Sequence, residues 1–242
     1  MSIIAIQGKM GSGKDLVGSI MKDKLSGHWE IKKFALKVKE VASLITGIPL
    51  EKFEDQGFKT TYLGTEWDYW TVSMINDGVV ALQLGRFTNR DDAKAHAAKF
   101  KKSYGGFYTQ YVVGMRQMTV RQLLQEIGTD AMRDSLHPSV WVNSLMSEYK
   151  CVPADRAPNG WDCDNWIITD LRFPNEYGAV KSKGGIVVKI ERPGIQSTNH
   201  PSETSLDEGY PADYTIVNDG TIEDLHKKVG EILAETSFDL TC

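Results

Sequence analysis

Ile3-Ile4-Ala5-Ile6-Gln7-Gly8-Lys9-Met10-Gly11-Ser12-Gly13-Lys14-Asp15 decides how the rest of the chain is read. A short apolar run closes at Gly8, and Leu16, Val17, Ile20, Met21 and Leu25 then recur near helical spacing. Strand, glycine-rich turn and helix are therefore expected in that order. The turn fits G-x-x-x-x-G-K, with Asp15 where Ser or Thr is usual. Such a turn aims successive backbone N–H groups inward, the helix adds its positive end, and Lys14 adds a mobile cation. A polyphosphate fits this arrangement. The plain alternative is a turn with a solvated lysine, and the strand before and helix after weigh against it. Asp15 is either an oxygen ligand for Mg²⁺ or an acidic first-turn residue favoured by the helix dipole.

Working outward, a second strand is expected at 30–34 and a helix from about 36 to 46 that Gly47 ends. This β-α-β-α order favours a parallel sheet covered by helices. The stretch 59–118 breaks the rhythm. Runs at 70–75 and 79–84 flank Asn76-Asp77-Gly78 as a hairpin would, and 91–102 reads as a polar helix, so the stretch is an inserted α+β segment. Thr119 then caps a helix through Ile127 that Gly128 stops, and Pro138 opens another towards Tyr149. The segment 152–164 reads as a loop. Strands are expected at 166–169, 186–190 and 214–217, with a helix at 174–183 and a terminal helix opened by Thr221 and Asp224 as a capping box. One domain over 1–242 accounts for this, with a lid-like loop at about 192–212.

Composition excludes several classes. The 28 basic against 32 acidic residues leave a net charge of −4, which argues against a polybasic nucleic-acid surface. Apolar types at 41 % and charged types at 25 % are ordinary globular usage, so a core is available. No run approaches a membrane span and the start lacks a signal-peptide pattern, so no membrane contact and a cytoplasmic location are expected. Cys151, Cys163 and Cys242 are odd in number and lack zinc spacing, and they read as spectators.

A triphosphate site needs a further group at the carboxyl end of a neighbouring strand. Asp170 closes the run Trp166-Ile167-Ile168-Thr169 and supplies a second metal-facing carboxylate. Arg172 is either a cation for the transferring group or an ion-pair partner of Asp170 or Glu176. Arg192, before Pro193-Gly194, is either a flap cation or a surface arginine. Arg121 is a helix arginine facing an anion or solvent, and Trp141 is a stacking platform or core. Asn218 and Gly220 either support a purine or form a plain turn. His200 is not needed by the chemistry.

The eight-residue turn ending in Gly-Lys-Asp, Val120 to Asp130 followed by Trp141-Val142, Asp170-Leu171-Arg172, Glu191-Arg192-Pro193-Gly194 and Val217-Asn218-Asp219-Gly220 together resemble the bacteriophage deoxynucleoside monophosphate kinases. That resemblance implies a P-loop kinase fold, often dimeric, that moves the ATP γ-phosphate to a deoxynucleoside 5′-monophosphate (dNMP) with Mg²⁺, in the host cytoplasm if phage-encoded. It implies catalytic Lys14, Arg121, Asp170 and Arg172. ATP would lie on Gly11, Ser12, Gly13, Lys14, Asp15, Arg192, Asn218 and Gly220, and the metal on Asp15 and Asp170. The dNMP would meet Lys9, Val38, Lys39, Arg121, Gln125, Gly128, Thr129, Trp141, Asp170 and Glu176. The chain departs from the pattern at Gln122 and Leu16. Gly-Lys-Asp endings also resemble phosphomevalonate kinases, which keeps another phosphorylated acceptor open. A P-loop ATPase or regulator is the rival class, weakened by Leu171 after Asp170 and by the lack of a guanine-reading Asn/Thr-Lys-x-Asp element.

Overall fold

A computed structural model describes residues 2–76, 79–104, 109–152, 162–195, 204–236, 238 and 240. Along the chain these form β1 (Ser2–Gly8), α1 (Lys14–Lys24), β2 (Glu30–Lys32), α2 (Phe34–Thr46), β3 (Tyr69–Asn76), β4 (Val79–Phe87), α3 (Arg90–Tyr104), β5 (Thr109–Arg116) and α4 (Val120–Gln125). A π-helix (Glu126–Asp134) follows, then α5 (Val140–Met146), β6 (Cys151–Val152), β7 (Asp162–Cys163), β8 (Asn165–Leu171), α6 (Pro174–Ser182), β9 (Ile186–Glu191), β10 (Tyr214–Val217) and α7 (Ile222–Glu235). The chain divides into two compact units, Met1–Val41 with Gly128–Cys242, and Ala42–Ile127.

The first unit is a five-stranded sheet in the order β10-β9-β1-β8-β2, and every pairing in it is parallel. β1 is buried on both faces because its side chains alternate. Ile4 and Ile6 join a core with Val17 and Ile20 of α1 and Leu225 and Val229 of α7. Ile3 and Ala5 join another with Val142 and Leu145 of α5 and Val180 of α6. This is the expected α/β architecture. Thr221 opens α7 as read, its hydroxyl accepting from the Asp224 N–H at 3.2 Å. α1 lies close to β8 because residue 18 is glycine: a Cβ there would sit 2.5 Å from Thr169 Cγ2.

The second unit carries the antiparallel sheet β4-β3-β5, with Ala93 and Ala97 of α3 packed on Val72. The β3–β4 pairing runs to Asn76 opposite Val79, as a hairpin requires, although Asp77-Gly78 lies outside the described residues. The strand β5 has no counterpart in the sequence reading. Its apolar signal is two valines beside Tyr111, too short to separate from loop. Tyr69 donates to a Glu126 carboxylate oxygen at 2.5 Å, and Arg86 pairs with the same carboxylate while lying 5.0 Å from the Tyr69 ring centre.

Two expectations are corrected. Gly128 does not stop a helix; the chain widens into the π-helix and continues to Asp134. Glycine only favours a stop, and here the Trp141 indole N–H takes the Gly128 carbonyl at 2.8 Å, satisfying it without a loop. The segment 152–164 is not all loop, since β6 and β7 pair antiparallel across it and set Cys151 opposite Cys163, which are joined as a disulfide. These two cysteines are therefore not spectators, while Cys242 lies outside the described residues. Among the described residues no helix is long and apolar enough to cross a membrane.

Gly18→Ala places a methyl against Thr169, and such overpacking costs about 1–3 kcal/mol, more than the about 1 kcal/mol that alanine returns in helix propensity. Urea unfolding should show a lower midpoint for the variant; an unchanged or higher one would contradict the close approach of α1 to β8.

Candidate active site

The turn after β1 is built as the motif requires. Gly13 caps α1 in the left-handed region at φ 100°, and a Cβ there would meet Asn218 Nδ2 at 2.8 Å. That amide instead donates to the Ser12 carbonyl at 2.9 Å, so Asn218 braces the turn from the end of β10. The Lys14 ammonium donates to the Gly8 and Lys9 carbonyls, each at 2.7 Å, which holds its charge over the turn. Arg192 reaches the Gly11 carbonyl at 3.3 Å from the end of β9. Gly220 belongs to the start of α7, where a Cβ would strike the capping Asp224.

Asp15 stands in the first turn of α1 with its side chain 73 % exposed. The Thr169 hydroxyl donates to Oδ1 at 2.9 Å and the Lys33 ammonium lies 2.9 Å from the same atom. Partial burial works to raise its pKa, but these two partners and Lys14 outweigh it and hold the carboxyl below the usual range. Asp15 is thus an ionised, accessible oxygen donor. Asp170 is different. Its Oδ1 accepts from the Phe34 N–H at 2.9 Å and its Oδ2 from the Ala35 N–H at 2.8 Å, so this carboxylate caps α2 from the neighbouring strand. Burial pushes its pKa up, against the pull of the two amides, Arg172 and Lys33. The metal role read for Asp170 therefore competes with a capping role that occupies both oxygens. Among the described residues no group of three or more His, Cys, Asp or Glu is arranged to hold a metal ion.

α2 then carries Val38 and Lys39. A Cβ on Gly128 would lie 3.5 Å from Val38, so these two residues, both in the first unit, are neighbours. Trp141 is 4 % exposed and pins the π-helix, which favours the core reading of that residue over the stacking one. Glu176 is 3 % exposed and accepts from the Arg172 and Phe173 N–H groups at 2.8 and 3.1 Å. Burial, then the Asp170 carboxylate, push its pKa up to about 8.

A cavity of about 320 Å³ opens beside the turn, lined in part by Lys9, Ser12, Arg172 and Arg192, with Gln7 and Lys189. The first four were read as site residues, and the structure brings them together. Arg172 lines this cavity, and its backbone N–H donates to Glu176. Arg121 and Gln125 lie on α4, in the second unit. Lys33, Thr169 and Lys189 were missed. A Lys-Lys pair before a helix and a Thr before the strand-end Asp carry no signal until the strands are aligned, although Thr169 sits one residue from a predicted site position.

Because the pKa of Glu176 is raised on folding, its contribution to stability is present below about pH 4.5 and falls away as pH rises towards about 8. Urea midpoints at pH 5 and pH 8 should therefore differ less for Glu176→Gln than for the parent chain. Equal pH slopes for the two would contradict the buried, neutral state of this carboxyl.

Residues 70–229 match the family model described as deoxynucleotide monophosphate kinase. A relative from Acanthamoeba polyphaga mimivirus, provisionally named as a deoxynucleotide monophosphate kinase, is 34 % identical over 128 residues, 46 % of this chain and 59 % of its own length. The deoxynucleotide monophosphate kinase of Escherichia phage RB69 is 31 % identical over 118 residues, 48 % of this chain and 45 % of the relative. The deoxynucleoside-5′-monophosphate kinase of Escherichia phage T5 is 25 % identical over 239 residues, 88 % of this chain and 86 % of the relative. The matches to the first two thus span about half of those proteins. With two thirds of its length inside the family model, the chain belongs to the deoxynucleotide monophosphate kinase family.

Proposed function

We propose that this chain moves the γ-phosphoryl group of ATP to the 5′-phosphate of a deoxynucleoside monophosphate, giving ADP and a deoxynucleoside diphosphate. The observation that carries the reading is the glycine-rich turn around Lys14 opening beside a cavity edged by Lys9, Arg172 and Arg192. An acceptor phosphate oxygen attacks the γ-phosphorus while the bond to the bridging oxygen of ADP breaks. No strong base is needed, because the second pKa of a phosphate monoester lies near 6 and an anionic oxygen is available at pH 7. What the site must supply is alignment and positive charge.

In this reading Gly11, Ser12, Gly13 and Lys14 hold the donor phosphates, and Lys14 and Arg172 neutralise charge on the moving group. Val38, Lys39, Gly128 and Thr129 face the acceptor, with Arg121 and Gln125 keeping the acceptor role that the resemblance implies. The exposed Asp15 carboxylate, with Thr169 beside it, suits a hard cation, and it would hold Mg²⁺ directly or through water. Magnesium, when bound, supplies charge neutralisation between the β- and γ-phosphates. Asp170 acts by positioning, since it orders the first turn of α2 from which Val38 and Lys39 project.

ADP release measured with each deoxynucleoside monophosphate in turn tests the activity: turnover that depends on the monophosphate is expected, and acceptor-independent ADP would instead favour an ATPase. Lys14→Ala should lower kcat by at least about 10²-fold, as expected for loss of a cation acting on the transition state. Unchanged turnover would remove the donor site from this turn.

A further inference from the structure

Arg133 is the penultimate residue of the π-helix, and nothing so far gives it a task. Its guanidinium carbon lies 4.1 Å from the centre of the Phe173 ring, within the range where a cation is held on an aromatic face. Its Nε–H is buried and has no hydrogen-bond partner. Among the described residues no carboxylate forms an ion pair with it. Glu176 feels its charge, yet that carboxyl is pushed up to about 8 and is mostly neutral at pH 7. Asp170 has both oxygens on the α2 amides. The guanidinium of this half-buried residue thus lies on an aromatic face with its Nε–H buried and unpaired, a donor whose desolvation is costly unless a partner arrives to meet it.

Its position says which anion. Thr129 precedes it by four residues on a helix whose turns are wider than α, so the two side chains share one face. Phe173 follows Arg172 at the end of β8, which brings the same guanidinium to the strand end that carries Arg172. We propose that Arg133 is a further binding residue for the 5′-phosphate of the acceptor monophosphate, its guanidinium plane set by Phe173. This rests on the kinase reading above. A planar fork on an aromatic face can meet two phosphate oxygens at once, which a lysine cannot do.

The test combines steady-state kinetics, varying each substrate in turn, with calorimetric binding of a deoxynucleoside monophosphate and of the matching deoxynucleoside. Arg133→Gln should raise the acceptor KM and weaken monophosphate binding by about 10- to 100-fold, the range for a charged hydrogen bond. The ATP KM and deoxynucleoside binding should stay within about 2-fold. Arg133→Lys should recover only part of the loss. Phe173→Leu keeps the charge but removes its platform, and a rise of about 3-fold or more in acceptor KM is expected from it, so the proposal stays testable if the Arg133 variants fold poorly. Parent-like acceptor KM in Arg133→Gln, or equal losses for monophosphate and deoxynucleoside, would overturn the role of Arg133 alone. A parent chain that neither binds nor phosphorylates any monophosphate would defeat the kinase reading and this role with it.

Discussion

A carboxylate taken out of water costs several kcal/mol unless hydrogen bonds replace its hydration, and at the end of β8 that constraint organises the first unit. Asp170 meets it with the Phe34 and Ala35 amides, which fixes where α2 begins. One residue earlier, Thr169 projects from the other face of the same strand and donates to Asp15 on α1. Two consecutive side chains of one strand thereby register α2 on one side and α1, with its glycine-rich turn, on the other. The spacing between the elements proposed for donor and acceptor is set by a strand rather than by loops. Gly18 contributes by letting α1 come near enough for Asp15 to reach Thr169.

The charges follow a consistent pattern. Acids in the interior of this unit are satisfied by backbone amides, as at Asp170, or held neutral by burial, as at Glu176. Asp15, beside the turn, is kept ionised and accessible, as a metal ion serving a polyphosphate would require. The basic groups are disposed differently. Lys9, Arg172 and Arg192 edge the cavity beside the turn, with Lys189 paired to Glu191 at 2.8 Å, and Arg133 lies on Phe173 without an ion-pair partner among the described residues. A surface of that kind suits the two anions that the proposed reaction brings together against their repulsion.

Local features were the ones legible in the sequence. β1, the glycine turn and α1 follow from an apolar run, three glycines and helical spacing within a few residues, and the Thr221–Asp224 cap from a spacing of three. Asp170 was recognisable as a strand-end acid, but its partners are 136 and 135 residues away, so its capping task emerges only when β8 lies beside β2. Gly128 shows the limit of propensity, because an indole 13 residues on supplies what a helix stop would have. Arg133 falls between the two helices expected from the sequence, where nothing marks it, and only the approach of Phe173 distinguishes it. The pairing of Cys151 with Cys163 was hidden for the same reason, since two-residue strands leave no periodicity to detect.

Two phosphates aligned for direct transfer between them are what the proposed reaction demands of this site. Incubation with ATP labelled at the γ-phosphorus, Mg²⁺ and a deoxynucleoside monophosphate, followed by separation of the products, tests it most directly. The label should appear in the deoxynucleoside diphosphate. Label found only in inorganic phosphate, whatever monophosphate is supplied, would contradict it.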